Sequence, residues 1–251
     1  MQTVLITGAT SGIGRSTAFL LADNGYRLIL CGRRKDRLQT IELELKKKTE
    51  ILTLCFDVRN KYAVSESLGH LKEKWKHIDI LINNAGNAHG LAPINDGDIN
   101  DWDSMIDINI KGLLYVSRAI LPEMVKRKSG HIINIGSIAG KEVYPSGNVY
   151  CASKFAVDAI TQGMRIDLNE HRIKVTAINP GLAETEFSIV RFKGDETKAS
   201  EVYKGMVPLT PEDIAEIILF VITRPAHVNI ADLLVLPTAQ ASISRINRTN
   251  V

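Results

Sequence analysis

Short, unbroken runs of Val, Ile and Leu recur along this chain, each followed by a longer stretch of helical period, and this alternation restricts the fold more than any other feature. The apolar runs cover residues 3–7, 27–31, 51–56, 78–82, 131–137, 174–179 and 233–236. The helical stretches cover 13–24, 35–48, 61–75, 98–128, 150–170 and 211–223. A continuous apolar run suits a parallel strand buried on both faces. Each crossover is long enough for a helix, and right-handed crossovers build a doubly wound sheet. A closed barrel of eight strand–helix units alternates in the same way, but only seven strand-like runs are present, and the glycine-rich turns follow the first and fourth. In the order 3-2-1-4-5-6 those two strands flank the crevice where the sheet reverses direction, so a dinucleotide would lie across both turns. No repeat, low-complexity tract or linker divides the chain. The expectation is an α/β fold: a single doubly wound Rossmann domain over residues 1–251, with a seven-stranded parallel sheet flanked by helices on both faces.

Bulk properties exclude several classes. A net charge of +3, with no basic stretch interleaved with aromatics, argues against a nucleic-acid partner. The six histidines and three cysteines (Cys31, Cys55 and Cys151) show no ligand or paired spacing, so neither a metal nor a disulfide framework is expected. That usage suits reduced thiols and a cytoplasmic location. The first apolar run, Val4-Leu5-Ile6, is too short for a signal peptide or a membrane span.

The first strand-to-helix junction reads Thr7-Gly8-Ala9-Thr10-Ser11-Gly12-Ile13-Gly14. Glycines there remove side chains from the turn, and backbone N–H groups with a helix N-terminus point at a pyrophosphate. The alternative is a purely structural left-handed turn. About 20 residues on, an NAD-binding fold usually carries an acid for the ribose hydroxyl. This chain has Arg33 and Arg34 instead. Two guanidiniums bind a 2′-phosphate by charge-assisted hydrogen bonds, which selects NADP over NAD. A solvated basic helix start is the competing reading, disfavoured because cations sit badly at a helix N-terminus without an anion. Asp57, after the third strand, is expected either to accept from the adenine amino group or to cap the next helix. Asn83-Asn84-Ala85-Gly86 ends the fourth strand; small residues let backbone approach a ribose, and buried amides there need partners.

Tyr150 and Lys154 are four apart in a helical stretch, which stacks them on one face. A phenol titrates near pH ~10, too high for proton exchange at neutral pH. A cation ~4 Å away at an effective dielectric of ~20 stabilises the phenolate by about 4 kcal/mol. Ser137, at the end of a strand-like run, is placed to donate to the same substrate oxygen. On the pair alone, Tyr150 as a half-buried helix residue beside a solvated lysine is the plainer account; the surrounding motifs reverse that preference.

Residues 7–14 and 83–86, with Asn109, Ser137, Tyr150, Lys154 and Pro180-Gly181, together resemble the short-chain dehydrogenase/reductase superfamily in its NADP-binding form. The resemblance implies Tyr150 as general acid/base, with Lys154 lowering its pKa and holding the nicotinamide ribose. Ser137 would hold the substrate oxygen, and Asn109 a water linking Lys154 to solvent. Thr185 would cap the nicotinamide amide. The implied cofactor contacts are Gly8, Thr10, Ser11, Gly12, Ile13 and Gly14 in the first turn; Arg33, Arg34, Asp57 and Val58 at the adenosine end; and Asn84, Ala85, Gly86, Tyr150, Lys154, Pro180, Gly181 and Thr185 beyond. Residues 184–195, 130–140, 147–150 and 237–241 look like the NADP-dependent 3-hydroxy acid dehydrogenases, which act on serine and allo-threonine and are typically tetramers. That likeness implies oxidation of the 3-hydroxyl of a short acid (serine, L-allo-threonine, 3-hydroxypropionate or 3-hydroxyisobutyrate) or the reverse reduction, by a homotetramer.

Residues 182–206 read as a long irregular segment leaving the cofactor crevice, which suits a substrate lid. Arg191 is a bidentate anchor for a substrate carboxylate, and Glu184 or Glu186 a partner for an amino group. A solvated charged lid is the alternative for each. His89 is either a pocket or a surface loop residue. Two other functions stay open: reduction of a larger carbonyl such as a 3-oxoacyl thioester, and a non-catalytic NADP-sensing protein, which has no need of Ser137, Tyr150 and Lys154 together.

Overall fold

The computed structural model describes residues 1–249. Its strands are β1 (Thr3–Thr7), β2 (Arg27–Gly32), β3 (Ile51–Cys55), β4 (Ile80–Asn83), β5 (Gly130–Ile135), β6 (Ile173–Pro180) and β7 (Asp232–Val235). They form one seven-stranded sheet in the order β3-β2-β1-β4-β5-β6-β7. Every pairing is parallel. The order therefore reverses between β1 and β4, as the positions of the glycine-rich turns required.

Strand pleating divides the core. Val4 and Ile6 of β1 face one side with Leu28, Leu30, Ile80 and Ile82, packing on α1 (Gly12–Asp23), α2 (Lys35–Leu45) and α10 (Pro211–Ile222). Leu5 faces the other side with Ile29, Leu81, Ile132 and Val175, against α3 (Lys61–Gly69) and α6 (Leu113–Arg127). This is the period-2 alternation of a strand with two apolar faces. It explains why β1 is buried at every position.

Three helical expectations need correction. The stretch 61–75 breaks after Gly69 into α3 and a single turn, α4 (Glu73–Lys76); glycine is a poor helix former and ends the first piece. The stretch 98–128 starts at α5 (Ile99–Ile106), where the Asp98 carboxylate caps the Asn100 N–H at 2.9 Å. It then widens into a π turn over Asp107–Gly112 before α6. The stretch 150–170 starts earlier and ends sooner, as α7 (Asn148–Asp167). The segment 182–206 is not irregular: it holds α8 (Phe187–Arg191) and α9 (Glu196–Glu201), the latter capped by the Asp195 carboxylate on Lys198 N–H at 3.0 Å. Among the described residues no helix is long and apolar enough to cross a membrane.

Candidate active site

The turn after β1 uses glycine where a side chain has no room. Gly8 (φ +66°) and Gly12 (φ +50°) are left-handed. A Cβ on Gly14 would lie 2.4 Å from the Gly8 carbonyl oxygen, so α1 starts hard against the turn. Ser11 caps α1 without a side-chain bond, leaving the first N–H groups of the helix to face the crevice. The turn after β4 is locked to it. The Thr7 hydroxyl accepts from the N–H groups of Asn84 and Ala85, both at 3.0 Å. Asn84 Nδ2 donates to the carbonyls of Thr7 (3.0 Å) and Gly8 (3.2 Å). Asn83 turns into the core, where Nδ2 donates to Ser117 Oγ (3.0 Å) and Asn134 Oδ1 (2.9 Å).

A cavity of about 460 Å³ runs from Arg33 and Arg34, over both turns, to Ser137, Tyr150 and Arg191. Of the expected cofactor contacts, Gly14 and Asp57 do not line it. Gly14 lies beneath, as the close approach to Gly8. Asp57 does not cap the next helix. Its carboxylate takes a two-pronged grip from Arg59 (2.7–3.1 Å) and pairs with Arg33 at 3.6 Å. Burial opposes ionisation there, but the Arg59 bonds outweigh it and hold the carboxyl below its usual range. Asn60 caps α3 instead, accepting from Tyr62 and Ala63 N–H. Arg34 faces the first turn: Nε and Nη2 donate to Thr10 Oγ1 (3.1 and 2.9 Å), and Nη2 also to Ser11 Oγ (2.7 Å).

At the other end, Tyr150 and Lys154 share the buried face of α7. Ser137 is extended and leads the short 3-10 turn Ile138–Gly140; its Oγ accepts from Ala139 N–H at 3.1 Å. A Cβ on Gly140 would lie 2.7 Å from the Lys154 carbonyl oxygen, so this turn sits directly on α7 and sets Ser137 beside Tyr150. Burial holds the Tyr150 phenol well above its ordinary value, while the Arg191 guanidinium and the Ser137 hydroxyl pull it back. This differs from the sequence expectation. Lys154 donates to the Ile135 carbonyl (2.9 Å), and burial brings its own pKa down to about 8. The cation acting most strongly on the phenol in this arrangement is Arg191. Asn109, in the π turn, lies outside the cavity lining. Its Oδ1 accepts from Asn87 N–H (2.9 Å), and its Nδ2 donates to Asn87 O (2.8 Å) and Ser153 Oγ (2.9 Å). It ties the β4 loop to α7. The wider π turn aims this amide inward.

Arg191 stands in an aromatic box, 5.0 Å above the Tyr150 ring, 5.3 Å from Phe187 and 5.5 Å from Tyr144. Its Nη2 meets the Tyr144 hydroxyl, and its buried Nε has no partner among the described residues. Glu184 is exposed and does not line the cavity, so it is not in place to meet a substrate amino group. Glu186 points the other way, to Arg34 and Arg37. His89 lines a small side cavity with Asp101, Trp102 and Arg191, and its imidazole is held below its ordinary value by burial. Tyr144, Gln240 and Ile243 also line the main cavity. Gln240 Oε1 accepts from Leu182 N–H at 2.9 Å, fixing the start of the lid. Tyr144 and Ile243 come from loop and tail positions with no motif around them, and only tertiary packing brings them in.

Comparisons with known proteins agree in kind. The family model described as short chain dehydrogenase matches residues 2–195. The NADP-dependent 3-hydroxy acid dehydrogenase of Salmonella typhi is 48% identical over 239 residues, covering 95% of this chain and 96% of the relative. Sulfoacetaldehyde reductase 2 of Chromohalobacter salexigens is 45% identical, with 95% of each covered. The closed form of a serine dehydrogenase complexed with NADP+ superposes with a TM-score of 0.93 at 47% identity, over 100% of this chain and 99% of that one. On the match over residues 2–195 and a relative 48% identical over 95% of this chain, the chain belongs to the short chain dehydrogenase family.

Proposed function

We propose that this protein is an NADP-dependent oxidoreductase that interconverts a short 3-hydroxy acid and its carbonyl form. The observation that carries the substrate class is Arg191. It is a guanidinium held 5.0 Å over the Tyr150 ring and lining the cavity beside Ser137. A carboxylate there accepts a charge-assisted bond while the 3-hydroxyl reaches Tyr150 and Ser137. The named relatives support it, since they act on 3-hydroxy acids or on a sulfonated aldehyde, also anionic. The residues fit NADP: the Gly8–Gly14 cradle accepts a pyrophosphate, and Arg34 lies at the adenosine end with Thr10 and Ser11.

When bound, NADP supplies the hydride acceptor in oxidation and the donor in reduction. Tyr150 takes the proton from the substrate hydroxyl and returns it in reverse. Ser137 donates to the same oxygen as negative charge grows on it. Lys154 stays protonated below pH of about 8, holds the ribose and stabilises the phenolate once that charge forms. Asn109 keeps one acceptor position on Oδ1 for a water toward Lys154.

One sheet spans the described chain, which supports reading residues 1–251 as one domain with 182–206 as its lid. Exposed Phe155 on α7 and Leu234 on the edge strand β7 support a homotetramer. Unpaired cysteines support a cytoplasmic location.

Initial rates over serine, L-allo-threonine, 3-hydroxypropionate and 3-hydroxyisobutyrate, with NADP and with NAD, test the proposal. Activity confined to 3-oxoacyl thioesters would overturn the substrate class. Arg191→Leu should raise KM for the acids by about 10–100-fold, the loss of a charge-assisted pair left exposed to its partner. An unchanged KM removes Arg191 as the anchor.

A further inference from the structure

Glu186 lies on the lid, yet its carboxylate reaches the cofactor's far end. Oε2 accepts from Arg34 Nη1 at 2.8 Å and Oε1 from Arg37 Nη1 at 2.5 Å, so each oxygen is held by a different arginine. The preceding residue, Thr185, lies over the first turn, its Cβ 3.2 Å from where a Gly12 Cβ would be. The arm therefore crosses the crevice above the pyrophosphate cradle. Arg34 has little left to offer a ligand: Nε and Nη2 are committed to Thr10 and Ser11, and one Nη1 proton to Glu186.

We propose that Glu186 is a cofactor-selectivity residue whose carboxylate occupies, on Arg34 and Arg37, the position that the 2′-phosphate of NADP takes. The inference rests on the reading of Arg34 as the 2′-phosphate site. A phosphate brings close to two negative charges and three acceptor oxygens, against one charge and two oxygens for Glu186. It displaces the carboxylate, and the displacement lowers the affinity for NADP. NAD brings only a hydroxyl, leaves Glu186 on its arginines and feels no such opposition. Glu186 thus moderates the preference for NADP that Arg34 creates.

Equilibrium binding without turnover tests this. In Glu186→Gln, NADP and 2′,5′-ADP should bind about 3–10-fold more tightly, as expected for two partly exposed ion pairs no longer competing, while NAD and 5′-ADP change less than twofold. Arg34→Leu should weaken NADP and 2′,5′-ADP at least tenfold and spare NAD. Unchanged NADP binding in Arg34→Leu would overturn the 2′-phosphate reading and the inference with it. Weakened binding in Arg34→Leu, with unchanged or weaker NADP binding in Glu186→Gln, would overturn the role of Glu186 alone. The NAD and 5′-ADP arms report whether each variant is folded.

Discussion

Tyr150 is buried on the inner face of α7, where a phenolate is opposed by desolvation and favoured by Arg191 and Ser137. In the proposed mechanism its hydroxyl exchanges a proton with a substrate oxygen shared with Ser137. Tyr150→Phe should lower kcat by about 10²–10⁴-fold, the usual weight of general acid–base catalysis, while NADP titrated by fluorescence binds with unchanged affinity. Retained turnover would remove Tyr150 from its role. The side chains with strong local signatures were legible in the sequence: a Tyr and Lys one helical turn apart, a Ser at a strand end, two arginines after β2. The partnerships were not. Asp57 turned to Arg59, only two residues on, a local alternative to capping the next helix; Glu186 turned to Arg34, 152 residues away, and a pairing between segments that far apart leaves no trace in spacing. The box of Tyr144, Phe187 and Tyr150 around Arg191 was equally hidden.

At the scale of elements, period and punctuation carried the strands well. β1 matched residue for residue, and β2 through β7 shifted by a residue or two at their ends, where fraying makes any boundary soft. The π turn at Asp107–Gly112 was not legible, since an extra residue in one helical turn leaves the apolar period nearly intact. The two lid helices were missed for another reason. They are too short to show a period, and only α9 carries a side-chain cap. The join of β1 to α1 is an element-level constraint set by backbone against backbone. In Gly14→Ala, the new Cβ meets the Gly8 carbonyl oxygen at 2.4 Å and Asn84 Nδ2 at 2.5 Å. Backbone must move at the first turn, and the Asn84 side chain at the second. The substitution should lower the unfolding free energy in urea by about 1–3 kcal/mol, as overpacking does. It should also weaken NADP by more than tenfold, measured in the same titration. Full stability with full binding would show that the join tolerates a side chain.

At the scale of the whole molecule, a histidine remote from the site contributes to acid sensitivity. His131 in β5 is buried beside Thr176, whose hydroxyl is 2.9 Å from Nε2. Burial first, and the Lys174 cation second, push its pKa down to about 3. An unfolded histidine titrates near pH ~6.5. Between those values the unfolded chain binds a proton that the fold refuses, so stability is complete above about pH 6.5 and declines as pH falls toward 3. At about 1.4 kcal/mol per pH unit, roughly 2 kcal/mol is lost between pH 7 and pH 5. Urea unfolding of wild type and His131→Gln at the two pH values isolates this share; an equal decline in both proteins would rule it out. The span from Thr185 to Arg191 touches the pyrophosphate cradle, the adenosine-end arginines and the substrate pocket in unbroken succession. If Arg191 anchors the substrate and Glu186 tempers NADP binding as proposed, transplanting that span from a sister enzyme to change what is oxidised also retunes which nicotinamide is used.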